Sequence, residues 1–241
     1  MSGTSAAYSV IDSPICTSIS LTSGANPSNY GNPVTLTATL SPYASGGASA
    51  NGDIVTFMNG SSVLGQGTLA SGVATLTTSR LPVGSDQVQA DFAGTSYFAA
   101  STGAAFSQTV RPVTLTVTGS NLSRAYGTST PALTGGVSGA ENGDAFTVTG
   151  TATATQASPV GAYPVTPQVS GANLADYTVD AVNGTLTVTQ AASAIALASS
   201  ASSAFVSNAV TFTATLNSAS GAPPGTVSFY DGQTDLLWRL L

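Results

Sequence analysis

The chain has 241 residues, with four arginines, ten acidic residues, one cysteine, no histidine or lysine, and a net charge of −6. Those absences exclude a Ser-His-Asp triad, a Schiff base, a P-loop lysine, an imidazole metal ligand, an internal disulfide and a thiolate zinc site. Four scattered arginines cannot neutralise a run of phosphates, which sets aside nucleic acid and anionic lipid as partners.

Only 6% of residues are charged, against about 25% in an ordinary soluble domain. The chain is nevertheless 42% hydrophobic, too apolar for a disordered segment, and no run approaches the roughly 18 apolar residues of a membrane span. In place of charge stand 35 Thr and 34 Ser, with 26 Gly and 12 Pro. Thr suits the wet face of a strand, and Gly and Pro suit turns, so an all-β chain is expected.

Residues 1–16 form an N-terminal extension with no basic n-region and no continuous apolar stretch, so Met1 does not begin a recognisable secretory signal. Cys16 beside Ile15 reads as a buried or incidental thiol, with intermolecular pairing as a minor option.

Residues 17–110 alternate with period two, the signature of half-buried strands. Val34, Leu36, Ala38 and Leu40 are expected inward, with Thr35, Thr37 and Thr39 toward water. Val73–Thr77 and Gln87–Phe92 repeat the alternation, the second pointing Val88, Ala90 and Phe92 inward. Asn51-Gly52-Asp53, Asn59-Gly60, Ser71-Gly72 and Pro82-Val83-Gly84 mark the turns. Short strands at this spacing predict a β-sandwich of immunoglobulin size.

Residues 111–190 read as a second, smaller β domain. Val113–Val117, Phe146–Thr149 and Leu186–Thr189 alternate, bounded by Gly135-Gly136, Asn142-Gly143-Asp144 and Asn183-Gly184. Pro164 and Pro167 around Val165 predict an edge strand, because proline cannot donate to a ladder. Val110-Arg111-Pro112-Val113 leaves almost no linker before it, and Gln190–Ser193 little after, which favours a stiff string of domains.

An internal repeat defines the remainder. Val34–Leu40 reads VTLTATL and Val210–Leu216 reads VTFTATL, at an offset of 176, which also matches Leu21 with Leu197. Val55–Gly60 matches Val227–Gly232 at an offset of 172. Residues 193–241 are therefore expected to be a truncated third sandwich, because the chain stops nine residues after Gly232. An interrupted reading frame or a cut fragment accounts for this; so does a docking edge for a partner, including self-association through the open face. The apolar tail with Leu236, Trp238 and Leu240 fits either account.

The segments NPSNYGNPVTLTATLSP and VTFMNGSSVLGQGTLASGVATLTTSRLPVGSDQVQADFAGTSYFAAST resemble the bacterial immunoglobulin-like repeat, and residues 193–232 resemble the first half of another copy. The middle segment, with LTVTGSNLSRAYGTSTPAL, SPVGAYPV and YTVDAVNGTLTVTQA, is similar to the MBG-type β domain. Val206-Ser207 departs from the Tyr30-Gly31 of the first copy. The resemblance implies tandem antiparallel sandwiches serving as spacers or adhesive stalks, extracellular or on a cell surface, within a longer protein. It carries no shared catalytic residues.

Asp53, Asp144 and Asp231 each lie beside a Gly, where loop calcium is weighed against ordinary turn chemistry, and no loop gathers three acids. Glu141 and Asp144 are the closest acidic pair, but within one turn they read as solvated loop residues rather than a glycosidase pair. Tyr30, Tyr43, Tyr97 and Phe98 offer a glycan-stacking platform against the alternative of sandwich packing. Tyr30-Gly31 and Tyr126-Gly127 begin similar strands, each Tyr expected to cover a core end. No catalytic, cofactor-binding or metal-ligating residue is assigned, and no enzyme activity is expected. The two functional readings are a structural spacer, and a module binding a cell-surface glycan or protein beside an enzyme or adhesin.

Overall fold

A computed structural model of the chain describes residues 13–218 and 226–236. The described residues divide into two compact units. The first gathers those up to Leu115 with Gly139–Ala145 and Gly171–Val179; the second gathers Thr116–Ser138, Phe146–Ser170 and those from Asp180 onward.

The first sandwich runs through β1 (Ser18–Ser23), β2 (Ser28–Asn29), β3 (Val34–Ser41), β4 (Ala44–Ser45), β5 (Ala48–Ser49), β6 (Ile54–Asn59), β7 (Ser62–Thr68), β8 (Val73–Thr78), β9 (Gly84–Phe92), β10 (Ser101–Thr102) and β11 (Phe106–Arg111). One sheet has the order β1-β3-β8 and the other β2-β11-β9-β6-β7, with β10 added to β9. Pairing is antiparallel except where short β2 runs parallel to β11. Val34, Leu36, Ala38 and Leu40 are buried, as are Val88, Ala90 and Phe92, so the period-two reading holds. On β8 the inward residues are Ala74 and Leu76, and Val73 faces water. Apolar side chains from two facing sheets, Leu36 and Leu40 against Val55 and Phe57 among them, fill the core.

Buried Gln108 donates through Nε2 to the carbonyls of Ala25 and Thr109 and to Ser28 Oγ. Unpaired, those groups would each cost about 1–3 kcal/mol, so Gln108 joins β11 to the turn before β2.

The middle segment contains β12 (Val113–Gly119), β13 (Leu122–Ala125), β14 (Gly135–Ser138), β15 (Thr147–Thr151), β16 (Gly161–Ser170), a 3₁₀ turn (Leu174–Asp176), β17 (Tyr177–Val182) and β18 (Gly184–Thr189). Its sheets have the orders β14-β12-β17 and β13-β18-β16-β15. Gly135-Gly136, expected as a turn, instead opens β14, opposite Gly119 and Thr118. A Cβ on Gly135 would stand 2.4 Å from Thr118 O, so glycine serves close backbone approach there.

The edge strand expected around Pro164 and Pro167 is an interior one, for a simple reason. Residues 161–165 of β16 pair with β18 and residues 166–170 pair with β15, so each proline has a ladder neighbour on one side only.

Arg124 is buried on β13 and donates to the carbonyls of Ala125, Thr128 and Thr155. It thereby gathers the loop that carries Tyr126-Gly127. Tyr126 is exposed, so it does not cover a core end as expected.

The last described elements are β19 (Ser193–Ser199), β20 (Phe212–Ser218), β21 (Tyr230–Asp231) and β22 (Thr234–Asp235). They reproduce the first sandwich in register. Leu21 pairs with Ala38 and Leu197 with Ala214, Ile19 with Leu40 and Ile195 with Leu216, each at the offset of 176. The Asn32 N–H to Asn29 O turn recurs as Asn208 to Phe205, and the Gly24 N–H to Thr35 O bond recurs as Ser200 to Thr211. Gly60 and Gly232 hold the same left-handed turn at φ +56° and +61°. Packing differs: Leu36 is fully buried, whereas Phe212, its counterpart, is 47% exposed. Trp238 and Leu240 lie outside the described residues.

Candidate functional site

The densest side-chain chemistry of the first compact unit collects around Asp144. Glu141-Asn142-Gly143-Asp144 closes a turn in which the Asp144 N–H donates to Glu141 O over 2.9 Å, with Asn142 and Gly143 at φ +54° and +77°. Tyr30 follows β2 and is tied to the end of β11, its N–H donating to Arg111 O over 2.9 Å. Tyr177 begins β17 as the 3₁₀ turn ends.

These backbone positions aim two phenols at one carboxylate oxygen. Tyr177 donates to Asp144 Oδ2 over 2.6 Å and Tyr30 donates to the same oxygen over 2.9 Å, while Asn173 Nδ2 donates to Oδ1 over 2.6 Å. The Glu141 N–H donates to the Tyr177 hydroxyl over 2.9 Å. The two rings meet edge to face at 5.3 Å and 75°, a favourable arrangement of aromatic quadrupoles. Around this centre, Asn142 and Ser79 exchange two hydrogen bonds, and the Val83 N–H donates to Asp176 Oδ1 over 2.8 Å.

The electrostatics follow from the bonding. Burial disfavours the Asp144 carboxylate, but donation from Tyr177, Asn173 and Tyr30 outweighs it and holds the carboxyl below its ordinary value. Burial, then the bond to ionised Asp144, push the Tyr177 phenol up to about 12. Tyr30 is raised as well, by burial first. Both phenols therefore remain donors, and Asp144 remains an acceptor, across neutral pH.

Gly31 is required beside this cluster. Its φ is +81°, and a Cβ there would stand 2.5 Å from Glu141 Cβ. A polar cavity of about 250 Å³ opens beside the cluster, lined by Tyr30, Arg80, Asn142, Asp144 and Asn173. Its carboxylate is already engaged, and Arg80 supplies an exposed guanidinium.

Other sequence candidates are dispersed. Tyr30 and Phe98 are buried in the core, Tyr43 is half-buried and Tyr97 is exposed, so two of the four rings are not open for stacking. Asp53 occupies a turn where its carbonyl accepts the Leu69 N–H, and Asp231 sits in the β21–β22 hairpin. Glu141 packs against Gly31, and Asp144 is consumed by the phenols. Among the described residues no group of three or more His, Cys, Asp or Glu could hold a metal ion. Cys16 is exposed, so of the two expectations the buried thiol falls and the incidental one remains.

The site residue that sequence reasoning misses is Tyr177. Its alternating context resembles any strand start, and its partner Asp144 lies 33 positions away.

Fold and site together define a tandem antiparallel β-sandwich protein whose densest polar cluster is a brace. The bacterial Ig-like domain (group 3) family model matches residues 21–111, and the MBG domain (YGX type) model matches residues 115–187. The chain thus carries one domain of each family in series. No curated protein sequence matches it.

Among solved structures, it is similar to the Clostridium thermocellum CbhA fibronectin(III)-like modules at 16% identity, covering 70% of this chain and 94% of that one, with a TM-score of 0.24. The three N-terminal domains of the bacteriophage RB49 highly immunogenic outer capsid protein match at 14% identity, over 86% and 72%, with a TM-score of 0.28. The Escherichia coli adhesin FdeC matches at 18% identity, over 85% and 74%, with a TM-score of 0.29. Among the described residues no helix is long and apolar enough to cross a membrane. The domain content fits a structural or adhesive repeat module.

Proposed function

We propose that this chain is a non-catalytic spacer or stalk segment of a bacterial surface or secreted repeat protein, working outside the cell. The observation that carries the reading is the brace. β11 ends at Arg111 and β12 begins at Val113, so Pro112 alone separates them. The loops at 139–145 and 171–179 then fasten to Tyr30, Ser79 and Val83 through side-chain hydrogen bonds. The brace ties both loops to the sandwich within the first compact unit, and bonds to an ionised acceptor are worth about 1.5–3 kcal/mol each. Domain boundaries at 17–110, 111–190 and 193–241 accompany this proposal.

Small-angle scattering of the full chain tests it. An elongated particle is expected, and a compact globule would overturn the reading. A second reading, glycan or protein binding, is favoured by the cavity beside Arg80. A glycan array probed with the full chain separates the two, because a pure spacer gives no saturable binding.

A further inference from the structure

The polar cavity lined by Tyr30, Arg80, Asn142, Asp144 and Asn173 lies within the first compact unit, and the brace leaves part of its hydrogen-bonding capacity unspent. Among the described residues the Arg80 guanidinium makes no ion pair or hydrogen bond, although the backbone N–H of Arg80 donates to Thr78 Oγ1 over 3.2 Å. Asn173 Nδ2 donates to Asp144 Oδ1, which fixes the amide and leaves its own Oδ1 as an acceptor. Asp144 Oδ2 is taken by the two phenols, whereas Oδ1 receives Asn173 alone. A carboxylate oxygen accepts about two bonds, so Oδ1 keeps one position. Asn142 is held by its two bonds with Ser79. What remains is a fork of donors on Arg80 beside two acceptors, Asn173 Oδ1 and Asp144 Oδ1.

Charge selects among ligands. Arg80 and Asp144 cancel within the lining, and the chain's net charge of −6 works against an anion. A cation meets the guanidinium of Arg80 and is repelled. The ligand that fits is neutral and both accepts and donates from adjacent atoms. Neighbouring hydroxyls on a sugar ring do this, their oxygens accepting from the planar guanidinium fork and their protons going to Asn173 and Asp144. The cavity is about 250 Å³, just below the roughly 300–1,000 Å³ of sites for larger small molecules, so it holds one ring rather than a chain of them.

We propose that this cavity binds a single neutral hexose unit through two adjacent hydroxyls, with Arg80 as donor and Asn173 and Asp144 as acceptors. The inference rests on the glycan-binding reading and adds to it a place and a class of sugar. The acceptors are positioned before the ligand arrives, since Asp144 is pinned by Tyr30 and Tyr177 and in turn pins Asn173. That preorganisation lowers the ordering cost of binding. One small ring with few polar contacts still limits the dissociation constant to the order of 1 mM.

Saturation-transfer difference NMR of the full chain is the test, with the methyl glycosides of glucose, galactose and mannose and the matching methyl uronosides as charged comparisons. At least one neutral glycoside is expected to bind saturably and more tightly than its own uronoside. Arg80→Ala should weaken that binding by at least about tenfold, the loss of one hydrogen bond from a charged group. The thermal midpoint should stay unchanged, because the guanidinium bonds to nothing among the described residues. Binding that is equal in Arg80→Ala would overturn this site while leaving the glycan-binding reading intact, because the sugar then sits elsewhere. A uronoside that binds more tightly than its neutral glycoside would overturn the neutral class. No saturable binding of any of the three neutral glycosides would overturn the proposal, and a blank glycan array beside it would remove the broader reading as well.

Discussion

The Tyr177 hydroxyl donates to Asp144 Oδ2 over 2.6 Å, on the same oxygen that receives Tyr30 over 2.9 Å. The two bonds are not equivalent, because the Tyr177 hydroxyl also accepts the Glu141 N–H. Removing it breaks a charge-assisted bond and orphans a backbone donor. Tyr177→Phe is therefore expected to destabilise by about 2–3 kcal/mol, and Tyr30→Phe by less. Urea unfolding midpoints of the two variants check the order.

The same bonds set a pH response at both ends of the scale. Asp144 is lowered in the folded chain, so its stabilisation is full above the ordinary carboxylate value and is lost as pH falls through the lowered one. Tyr177 is raised from 10.0 to about 12, so its contribution is full below the lower of these values and is lost as pH climbs to the higher. Unfolding free energy should drop across that alkaline interval, and the drop should be smaller in Tyr177→Phe.

Asp86 behaves in the opposite sense to Asp144. Burial raises its pKa, the bond from Asn59 lowers it less, and the charge of Asp176 raises it further. Among the described residues its Oδ2 has no hydrogen-bond partner, while Oδ1 accepts Asn59 Nδ2 over 2.6 Å. The folded state thus holds the proton more tightly, and stability contributed here declines as pH rises from the ordinary carboxyl value through the raised one. Asp86→Asn retains an acceptor and removes the buried charge. We expect it to raise the thermal midpoint at neutral pH and to abolish this part of the decline.

Two glycines separate backbone strain from collision. Gly60, at φ +56°, has open space where a Cβ would go, so Gly60→Ala should cost only the left-handed penalty of about 1–2 kcal/mol. Gly31→Ala adds an overlap with Glu141 at 2.5 Å and should cost clearly more. Paired denaturation curves decide between this and equal losses.

β3 and β20 share sequence, register and turn, but Leu36 is buried while Phe212 is half exposed. Opening free energy depends on packing as well as on the ladder. Amide hydrogen exchange should therefore be much faster in β20 than in β3. Equal protection would mean that a cover is in place.

The strand faces are legible in the residue pattern alone. Val34, Leu36, Ala38 and Leu40 point inward because a period of two leaves an apolar row one way to face. The repeat at offset 176 is equally plain, and its register is reproduced pair for pair. The position of the strand around Pro164 is not legible in this way. Proline reports only a missing donor, and a strand whose two halves pair on opposite sides satisfies that as well as an edge strand does.

Composition and alternation by themselves determined an all-β chain of repeated sandwiches without His or Lys chemistry, since those depend on residue type and near neighbours. Which residues meet across long separations was decided only by tertiary structure. Tyr30 and Asp144 lie 114 positions apart, and no local pattern marks a phenol for a carboxylate at that range. The scarcity of charge that excludes so many mechanisms also makes the few carboxylates distinct. In a chain with ten acids, Asp144 is the one whose hydrogen bonds fasten Tyr30 after β2 to Tyr177 at the start of β17.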